Sequence, residues 1–270
     1  MSESCKQPIT TDQVDWKWQK TELDRYRSGN YLRLAPEDIY VGSIAIAALA
    51  AHARHQDLFG ALPHGTLIAA GGVPRGAAVI APLIKTPERG GFIDVSDREI
   101  STTDLTRDTM SRLALGDLGI WTPHQKDYTA AHPDWDGSFQ LAGRLASGHV
   151  HTEDMRELAK NSRYAIAVEH GPESATESKD EYEEFMRFIC RALLPGGIFY
   201  MAYMRGSRGY EVGGVPKPAI PVDVDGVTDI LHNNNMHVLF NGGTDPSNSI
   251  REDGDEHTYS GLGVAVAVKK

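Results

Sequence analysis

The stretch that decides the fold is GTLIAAGGVPRG, Gly65 to Gly76. An apolar run leads directly into a glycine turn, which is typical of a first β-strand that delivers a nucleotide to the loop at its carboxyl end. The loop departs from the usual pattern, because Ala69, Val73 and Arg75 stand where an acid, a glycine and a small residue are usual. The stretch therefore predicts the strand and turn of a nucleotide-binding fold, with changes at the positions that would face the ligand.

The composition is that of an ordinary globular protein. With 270 residues, 40% hydrophobic and 24% charged, the chain is long enough to bury a substantial core in one or two domains. Its formal net charge of −10 argues against nucleic-acid binding, which takes its affinity from neutralised phosphates. No apolar run reaches membrane-spanning length, and the first residues lack the pattern of a secretion signal. We therefore expect a cytoplasmic protein with no membrane partner.

The cysteines fit the same compartment. Cys5 lies in a terminal tail and Cys190 lies on an apolar helical segment, so we expect no disulfide between them. No cluster of Cys and His residues has the spacing of a zinc site, so no metal is predicted.

Beyond Gly65, strands alternate with helices. The chain before it, residues 12–59, is predicted to be helical. Strands are predicted at Thr66–Ala70, Gly91–Val95, Tyr164–Val168, Gly197–Met204, Met236–Phe240 and Gly261–Val268. The segment Glu181–Leu194 places its apolar residues on one helical face. This order predicts an α/β fold with a mostly parallel sheet, an antiparallel C-terminal strand and ligands at the carboxyl ends of the strands.

Three motifs resemble one known family. They are IDVSD (Ile93–Asp97), ESAT (Glu173–Thr176) followed by a helix and LLPGG (Leu193–Gly197), and YMRGSRGYEVG (Tyr203–Gly213). In this order they resemble class I S-adenosylmethionine (SAM)-dependent methyltransferases, and most closely the branch that acts on nicotinamide, phenylethanolamine and thioethers. The resemblance covers most of the chain and implies a Rossmann-like methyltransferase fold. It also implies two parts, an N-terminal helical lid over residues 1–60 and the Rossmann-like domain over residues 61–270.

The resemblance also implies where a cofactor would bind. Gly71 and Gly72 would form the loop that faces SAM, and Asp94, the first acid of IDVSD, would hold its ribose. These are the positions of a cofactor site that is either vestigial or altered.

Three departures from the family pattern concern that cofactor site. Ala69 takes the place of an acid that anchors the loop, and Val73 takes the place of a glycine that lets the backbone approach the ligand. At the expected end of the third strand, where the family offers an acid near the adenine, Gly148 and His149 stand instead. The pattern fits either a re-tuned SAM site or a pocket that serves another ligand.

Three residues are candidates for acid–base chemistry. Glu173, at the end of the fourth strand, is the first choice of base, and His170 is the second, because a histidine in a strand-end loop titrates near neutrality. Tyr203 falls on a position that the family fills with an acid.

A further set of residues is expected to bind substrate. Tyr26 and Tyr31 would reach the pocket from the lid, whereas Ser207 and Tyr210 fall on positions that contact substrate in some family members. Arg75, His149, Arg205 and Arg208 are candidate anion holders. For each of them, a structural or solvent-facing role is the alternative.

These observations lead to one preferred function and two alternatives. The preferred hypothesis is an enzyme of natural-product biosynthesis that no longer methylates, needs no cofactor, and closes a ring by intramolecular substitution, for example an aziridine as in azinomycin-type pathways. The first alternative is a SAM-dependent N- or O-methyltransferase of a small molecule. The second is a non-catalytic scaffold for a partner enzyme. The substrate would be a small molecule, free or tethered to a carrier protein, and a partner protein or a homodimer is compatible with the sequence.

Overall fold

The computed structural model describes only part of the chain. The described residues are 36–55, 65–69, 79, 92–96, 100–114, 148–161, 164–174, 176, 178–212, 215–244 and 259–270. They contain a seven-stranded sheet, with helices on both faces, and a separate two-stranded hairpin.

The seven strands form one mixed sheet. They are β1 (Gly65–Ala69), β2 (Phe92–Ser96), β3 (His149–His151), β4 (Tyr164–His170), β5 (Leu193–Met204), β8 (Met236–Gly243) and β9 (Leu262–Lys269), in the order β3-β2-β1-β4-β5-β9-β8. The first five strands pair in parallel, and β9 runs antiparallel between β5 and β8. The predicted parallel sheet with an antiparallel C-terminal strand is therefore confirmed. Its order reverses direction at β1 and β4, where ligands bind in sheets of this kind.

The hairpin follows β5 along the chain. It consists of β6 (Tyr210–Val212) and β7 (Val215–Lys217), which pair antiparallel. The side chain of Lys217, at the end of β7, is buried.

Five helices and one 3-10 turn accompany the strands among the described residues. They are α1 (Pro36–His55), α2 (Ile100–Ala114), α3 (Met155–Asn161), α4 (Lys179–Ala192), α5 (Val224–Asn233) and the 3-10 turn Pro172–Ser174. None of these helices is both long and apolar enough to cross a membrane. Cys190, on α4, is a free and buried thiol.

Helix α4 and the start of β5 differ from the prediction. The hydroxyl of Ser178 accepts a hydrogen bond from the backbone N–H of Glu181, so the helix begins at Lys179 and ends at Ala192. The strand then begins at Leu193, four residues earlier than predicted, because Leu193 already pairs with Tyr164. The register next shifts, and Ile166 pairs with Ile198. The motif LLPGG therefore forms an irregular first part of β5 rather than a turn before it.

The sheet separates two apolar cores. Along β5, Ile198, Tyr200 and Ala202 face the core beneath α1 and α2, whereas Phe199, Met201 and Tyr203 face the core beneath α3, α4 and α5. The alternation follows from the two-residue period of a strand that is covered on both faces. β5 is therefore a buried central strand. Its carboxyl end is where a ligand-binding site is expected in a sheet of this kind.

Helix α1 belongs to the first of these cores. Val41, Ala45, Ile46 and Leu49 are buried there, on the side of the sheet formed by β8 and β9. Within residues 1–60, the segment predicted to form a lid, the described part is thus a helix packed on the sheet. A lid remains a prediction for the chain before α1, where Tyr26 and Tyr31 lie outside the described residues.

A close contact between β5 and β9 provides a test of this packing. Tyr203 pairs directly with Gly263, and a Cβ atom at Gly263 would overlap the tyrosine ring. We expect Gly263→Ala to lower the free energy of unfolding by about 1–3 kcal/mol, because the ring has to leave its position. Denaturant unfolding would measure this change.

The same substitution in a Tyr203→Ala background is the control. There the added methyl group meets no ring, so the cost of Gly263→Ala is expected to fall below about 0.5 kcal/mol. An equal cost in both backgrounds would show that the backbone of Gly263, and not the ring, is what matters.

Candidate active site

The candidate site lies at the carboxyl ends of β4 and β5, where Glu173 is fully buried. Gly171 has a positive φ of 71°, which lets the chain turn from β4 into the 3-10 turn that carries this glutamate. The Oε1 atom of Glu173 accepts a hydrogen bond of 2.8 Å from the backbone N–H of Met204. Its Oε2 atom is buried and has no hydrogen-bond partner among the described residues. Glu173 therefore presents one oxygen that is held and one that is not.

Burial changes the acidity of this carboxyl group. It raises the pKa of Glu173 from 4.5 to about 8, although the hydrogen bond from Met204 acts in the opposite direction. The group is then mainly neutral at pH 7, yet close enough to its pKa to accept or release a proton there. This is the range in which a general acid or base is most effective.

Tyr203 is a residue of β5 and lies next to Glu173. Hydrogen bonds connect its hydroxyl to two other elements, directly to one and through Asn241 to the second. Its hydroxyl donates a hydrogen bond of 2.8 Å to Oδ1 of Asn241 on β8. The amide nitrogen of Asn241 in turn donates to the carbonyl of Val224, at 2.8 Å, and to the hydroxyl of Thr228, at 2.9 Å, both on α5. Asn241 therefore fixes the direction of the Tyr203 hydroxyl.

The electrostatics of Tyr203 show which charges surround it. Burial raises the pKa of its hydroxyl most, the Arg205 guanidinium lowers that pKa, and the carboxyl groups of Glu173 and Asp223 raise it further. Tyr203 is thus a neutral hydrogen-bond donor within electrostatic reach of both Glu173 and Arg205.

Arg205 follows the last residue of β5 and joins two parts of the chain. Its Nη1 atom donates a hydrogen bond of 2.8 Å to the carbonyl of Thr244. Its backbone N–H donates to the carbonyl of Gly261 at 2.8 Å, and its carbonyl accepts from the backbone N–H of Ser260 at 2.7 Å. The Nε atom is buried and has no hydrogen-bond partner among the described residues. The Nη1 atom therefore has a structural role, whereas the N–H at Nε is not satisfied by the described residues.

One segment, residues 218–222, runs past both charged groups. The backbone N–H of Ile220 donates to the carbonyl of Glu173 at 2.8 Å, and the N–H of Gly206 donates to the carbonyl of Val222 at 2.7 Å. Val222 also forms a parallel bridge with Arg205. The end of β5 and the turn after β4 are therefore covered by a common stretch of backbone.

For the other residues that were predicted to belong to this edge, the structure describes some side chains, some backbones only, and some residues not at all. Ser207 is buried, and its hydroxyl accepts a hydrogen bond of 3.4 Å from the N–H of Gly209, within the turn after β5. Arg208 is exposed. His170 ends β4 and Tyr210 begins β6, so their backbones belong to this edge, but the structure describes neither side chain. Gly71, Gly72 and Arg75 lie outside the described residues.

Asp94, the predicted ribose ligand, lies in the middle of β2 rather than at its end. Its Oδ1 atom is 2.9 Å from Nε2 of His151, and its Oδ2 atom accepts a hydrogen bond of 2.8 Å from the hydroxyl of Tyr164. Only 14% of its side chain is exposed. The strand continues to Ser96, and Asp97 follows it in the sequence. Both carboxylate oxygens of Asp94 therefore already have partners within the sheet, and its contact with a ribose stays a prediction.

The end of the third strand needs a correction. Gly148 and His149 were expected there, but β3 begins at His149 and ends at His151. The residues that follow it are Thr152, Glu153 and Asp154, so acids do stand at this strand end. Asp154 is engaged with the backbone N–H and the guanidinium of Arg156 at the start of α3. The prediction was wrong because the strand His149–His151 was not recognised in the sequence. Asp154 could have located its end, because an acid just before a helix is a helix-start signal.

His149 itself is exposed at the start of β3, away from Glu173. Its ring lies 6.4 Å from that of His151, measured between centroids. The structure does not bring it together with Arg205, with which it was grouped as an anion holder.

Several residues of these networks were not predicted from the sequence. They are His151, Tyr164 and Asn241. A tyrosine inside a buried strand needs a partner for its hydroxyl, and this signal points to Tyr164. Nothing in the sequence indicates that Asn241, which is remote along the chain, would be the partner of Tyr203.

The described residues near β1 and β2 include only part of the cofactor site that the family resemblance implies, and Gly71 and Gly72 are not among them. Ala69 ends β1 without a carboxylate, and the hydroxyl of Ser96 donates to the carbonyl of Glu153 at 2.6 Å. Asp94 is engaged as described above. Within the described part of the chain, no three His, Cys, Asp or Glu side chains group closely enough to hold a metal ion.

Comparisons with known proteins identify the fold. No protein-family model matches the chain, and no curated protein matches it in sequence. Among solved structures, it resembles a SAM-dependent methyltransferase from Clostridium acetobutylicum with a TM-score of 0.53 and 8% identity, over 92% of this chain and 98% of that one. It also matches the N-methyltransferase NodS from Bradyrhizobium japonicum in complex with S-adenosylhomocysteine (TM-score 0.47, 13% identity, 92% of this chain and 97% of that one). The likeness to the Clostridium acetobutylicum structure, together with the sheet order, confirms the Rossmann-like methyltransferase fold. An identity of 8% shows the fold alone.

The pKa of Glu173 predicts how stability depends on pH. Because the folded chain holds the proton more tightly than the unfolded chain, its contribution is complete below pH 4.5 and is lost as the pH rises through about 8. Between about pH 6 and pH 8, the free energy of unfolding is expected to fall by about 2 kcal/mol more in the natural protein than in Glu173→Gln. Denaturant titrations at each pH would measure this difference.

Glu184→Gln is the matched control, since Glu184 is exposed on α4. It should keep the pH dependence of the natural protein. Parallel stability curves for the natural protein and Glu173→Gln would contradict a raised pKa at Glu173.

The contacts of Asp94 predict a structural cost when it is removed. Asp94→Ala leaves the Tyr164 hydroxyl and His151 without their carboxylate, so we expect a loss of about 1–3 kcal/mol in the absence of any ligand. Thermal or denaturant unfolding would measure it. Asp104→Ala is the control, because the ion pair of Asp104 with Arg107 is exposed, and its loss should change stability by less than about 0.5 kcal/mol. Equal effects of the two substitutions would mean that Asp94 has no such role.

Proposed function

We propose that this chain is an enzyme that catalyses nucleophilic substitution on a small molecule at the carboxyl ends of β4 and β5, with Glu173 accepting the proton of the nucleophile. The observation that supports this proposal is the carboxyl group itself. It is fully buried, one oxygen has no partner in the described part of the chain, and its pKa is raised to about 8 by burial. Strongly shifted groups of this kind concentrate at functional sites.

The reaction needs little else from the protein. An amine attacks a carbon atom, the new C–N bond forms as the bond to the leaving group breaks, and the leaving group departs with the electron pair as an anion. The proton of the amine passes to the ionised Glu173, whose basicity is increased by burial. The unsatisfied N–H of Arg205 is suited to the departing anion. Positioning supplies the remaining acceleration.

We favour the form of this reaction in which the amine and the leaving group belong to one molecule, so that a ring forms, as in an aziridine. Two observations support it over methyl transfer. Ala69 and Val73 replace the acid and the glycine that the family uses for SAM, and both oxygens of Asp94 are engaged within the sheet. No cofactor is then required, and the pathway would belong to natural-product biosynthesis.

SAM-dependent methylation of a nitrogen or oxygen is the second candidate, and the fold favours it. The Clostridium acetobutylicum protein that shares this fold is a SAM-dependent methyltransferase. In this candidate Glu173 keeps its role, and Asp97, which follows the last residue of β2 in the sequence, replaces Asp94 as the acid for the ribose.

Calorimetry with SAM and with S-adenosylhomocysteine separates the two candidates. If the ring-forming hypothesis holds, neither compound binds with micromolar affinity. Micromolar binding that is lost in Asp97→Asn and kept in Asp94→Asn would overturn this hypothesis and establish the methyltransferase. Unfolding curves of both variants control for damage to the fold.

Turnover tests the role of Glu173. A panel of amines with a sulfate, phosphate or halide on the neighbouring carbon is incubated with the protein, and ring products are measured by mass spectrometry. Glu173→Gln is expected to lower kcat by about 100-fold or more, whereas Glu184→Gln leaves it unchanged. In the natural protein, kcat/KM should rise with pH up to about 8, because the base must be ionised.

Full activity of Glu173→Gln would show that Glu173 is not the base. A stable complex with a second protein, without turnover, would favour the non-catalytic scaffold.

A further inference from the structure

The outward side of α1 is an uncharged, apolar surface. Residues 39–53 of this helix include no Asp, Glu, Lys or Arg. Tyr40, Ala47 and Ala51 are exposed, and the exposed fraction of Tyr40 is 53%. With the half-buried Ile44 they follow one another at spacings of four, three and four residues, so the four side chains lie on one side of the helix. A helix that covers a core on one side normally carries charged residues on the other.

The other helices among the described residues follow this rule. Each of them has exposed acidic side chains, which are Asp104 and Asp108 on α2, Glu157 on α3, Asp180 and Glu184 on α4, and Asp225 and Asp229 on α5. The formal net charge of the whole chain is −10. The outward side of α1 is therefore the exception in an acidic molecule.

The strand beside α1 extends this surface. Helix α1 contacts β8, which lies at the edge of the seven-stranded sheet and also contains no Asp, Glu, Lys or Arg. The register with β9 shifts between Val238 and Phe240, and both Leu239 and Phe240 pack, half-buried, at the margin of the core beneath α1. We call the combined surface the α1 face, which consists of Tyr40, Ile44, Ala47, Ala48, Ala51, Leu239 and Phe240.

The size of the α1 face suits a weak protein–protein contact. The 20 residues of α1 span about 30 Å, and a helix with one neighbouring strand is about 15 Å wide. Two such faces would bury about 900 Å² in total, which is the size of weak, reversible interfaces. We therefore expect a partner that associates and dissociates at micromolar concentrations.

The charge of the chain favours a second copy as this partner. Two copies that each carry a net charge of −10 repel each other, and the repulsion is smallest where neither copy has an acid at the contact. The α1 face meets its own copy without bringing like charges together. The acidic outward sides of α2, α4 and α5 do not have this property.

We propose that the α1 face is the interface of a homodimer, in which the α1 helices of two copies pack against each other about a two-fold axis. In a symmetric contact of this kind, both copies present the same surface. The small side chains of Ala47, Ala48 and Ala51 let the two helices approach closely, and Tyr40 and Phe240 lose exposed apolar surface. The proposal is independent of the chemistry proposed for the ends of β4 and β5.

Sedimentation velocity over a series of micromolar concentrations tests the dimer. The natural protein is expected to change from monomer to dimer across the series. Ala47→Glu should raise the dissociation constant by about 100-fold, because it places like charges in an apolar contact. Ser111→Glu is the matched control, since it adds the same charge at an exposed position of α2 and should leave the dissociation constant unchanged.

A mixture of two variants gives an independent readout. Ala47→Glu and Ala47→Lys should each dimerise poorly alone, whereas an equimolar mixture should form heterodimers, because unlike charges then meet. Ala47 is exposed, so both variants should keep the unfolding curve of the natural monomer. Tyr40→Ser, at the other exposed part of the face, is measured as well and carries the test if the Ala47 variants fold poorly.

Salt provides a further check on the character of the interface. Added salt screens the repulsion between two acidic copies, so it should strengthen a dimer with an uncharged interface. A dimer that salt weakens would contradict the proposal, because its interface would depend on ion pairs.

Two other results would overturn the proposal. One is a dimer that Ala47→Glu and Tyr40→Ser leave intact, since the contact would then lie elsewhere. The other is a monomer at every concentration. In that case, a lower free energy of unfolding in Ala47→Glu would indicate that residues 1–35 of the same chain cover the α1 face, and an unchanged one would indicate a different protein as the partner.

Discussion

The missing side chain of Gly263 is the constraint on which the second half of the fold depends. It lets the ring of Tyr203 lie directly across β9, so that the hydroxyl reaches Asn241 on β8. Asn241 then holds the first turn of α5 through Val224 and Thr228. One absent Cβ atom thereby couples three strands and a helix, and it fixes the wall of the site beside Glu173.

The same edge of the sheet shows how burial and charge are set against each other. Burial keeps the carboxyl group of Glu173 mainly neutral at pH 7, whereas the hydrogen bond from the N–H of Met204 favours its ionised form. The balance leaves the pKa of this group at about 8, near the pH at which protons move. The arrangement costs stability, as functional sites commonly do.

The sheet was largely predictable from the sequence, and the site was predictable only in part. Short apolar runs next to turn residues identified β1, β2, β4, β5, β8 and β9, whereas β3 was missed because three residues, two of them histidines, carry no such signal. Glu173 was found because it follows a buried strand. The partners of Asp94 and Tyr203 were not found, because His151, Tyr164 and Asn241 are brought close by the sheet order, which the chain does not display locally.

Arg205 binds both Thr244 and the pair Ser260–Gly261, so the two ends of the intervening segment are held at fixed points of the sheet. Closing a chain between fixed points becomes costlier only slowly with its length, by about 0.6 kcal/mol for each doubling. The stability of the sheet therefore depends only weakly on the number of residues between these points. Insertions and deletions there would leave both anchor points and the sheet unchanged, which makes this junction a place where a reporter can be inserted.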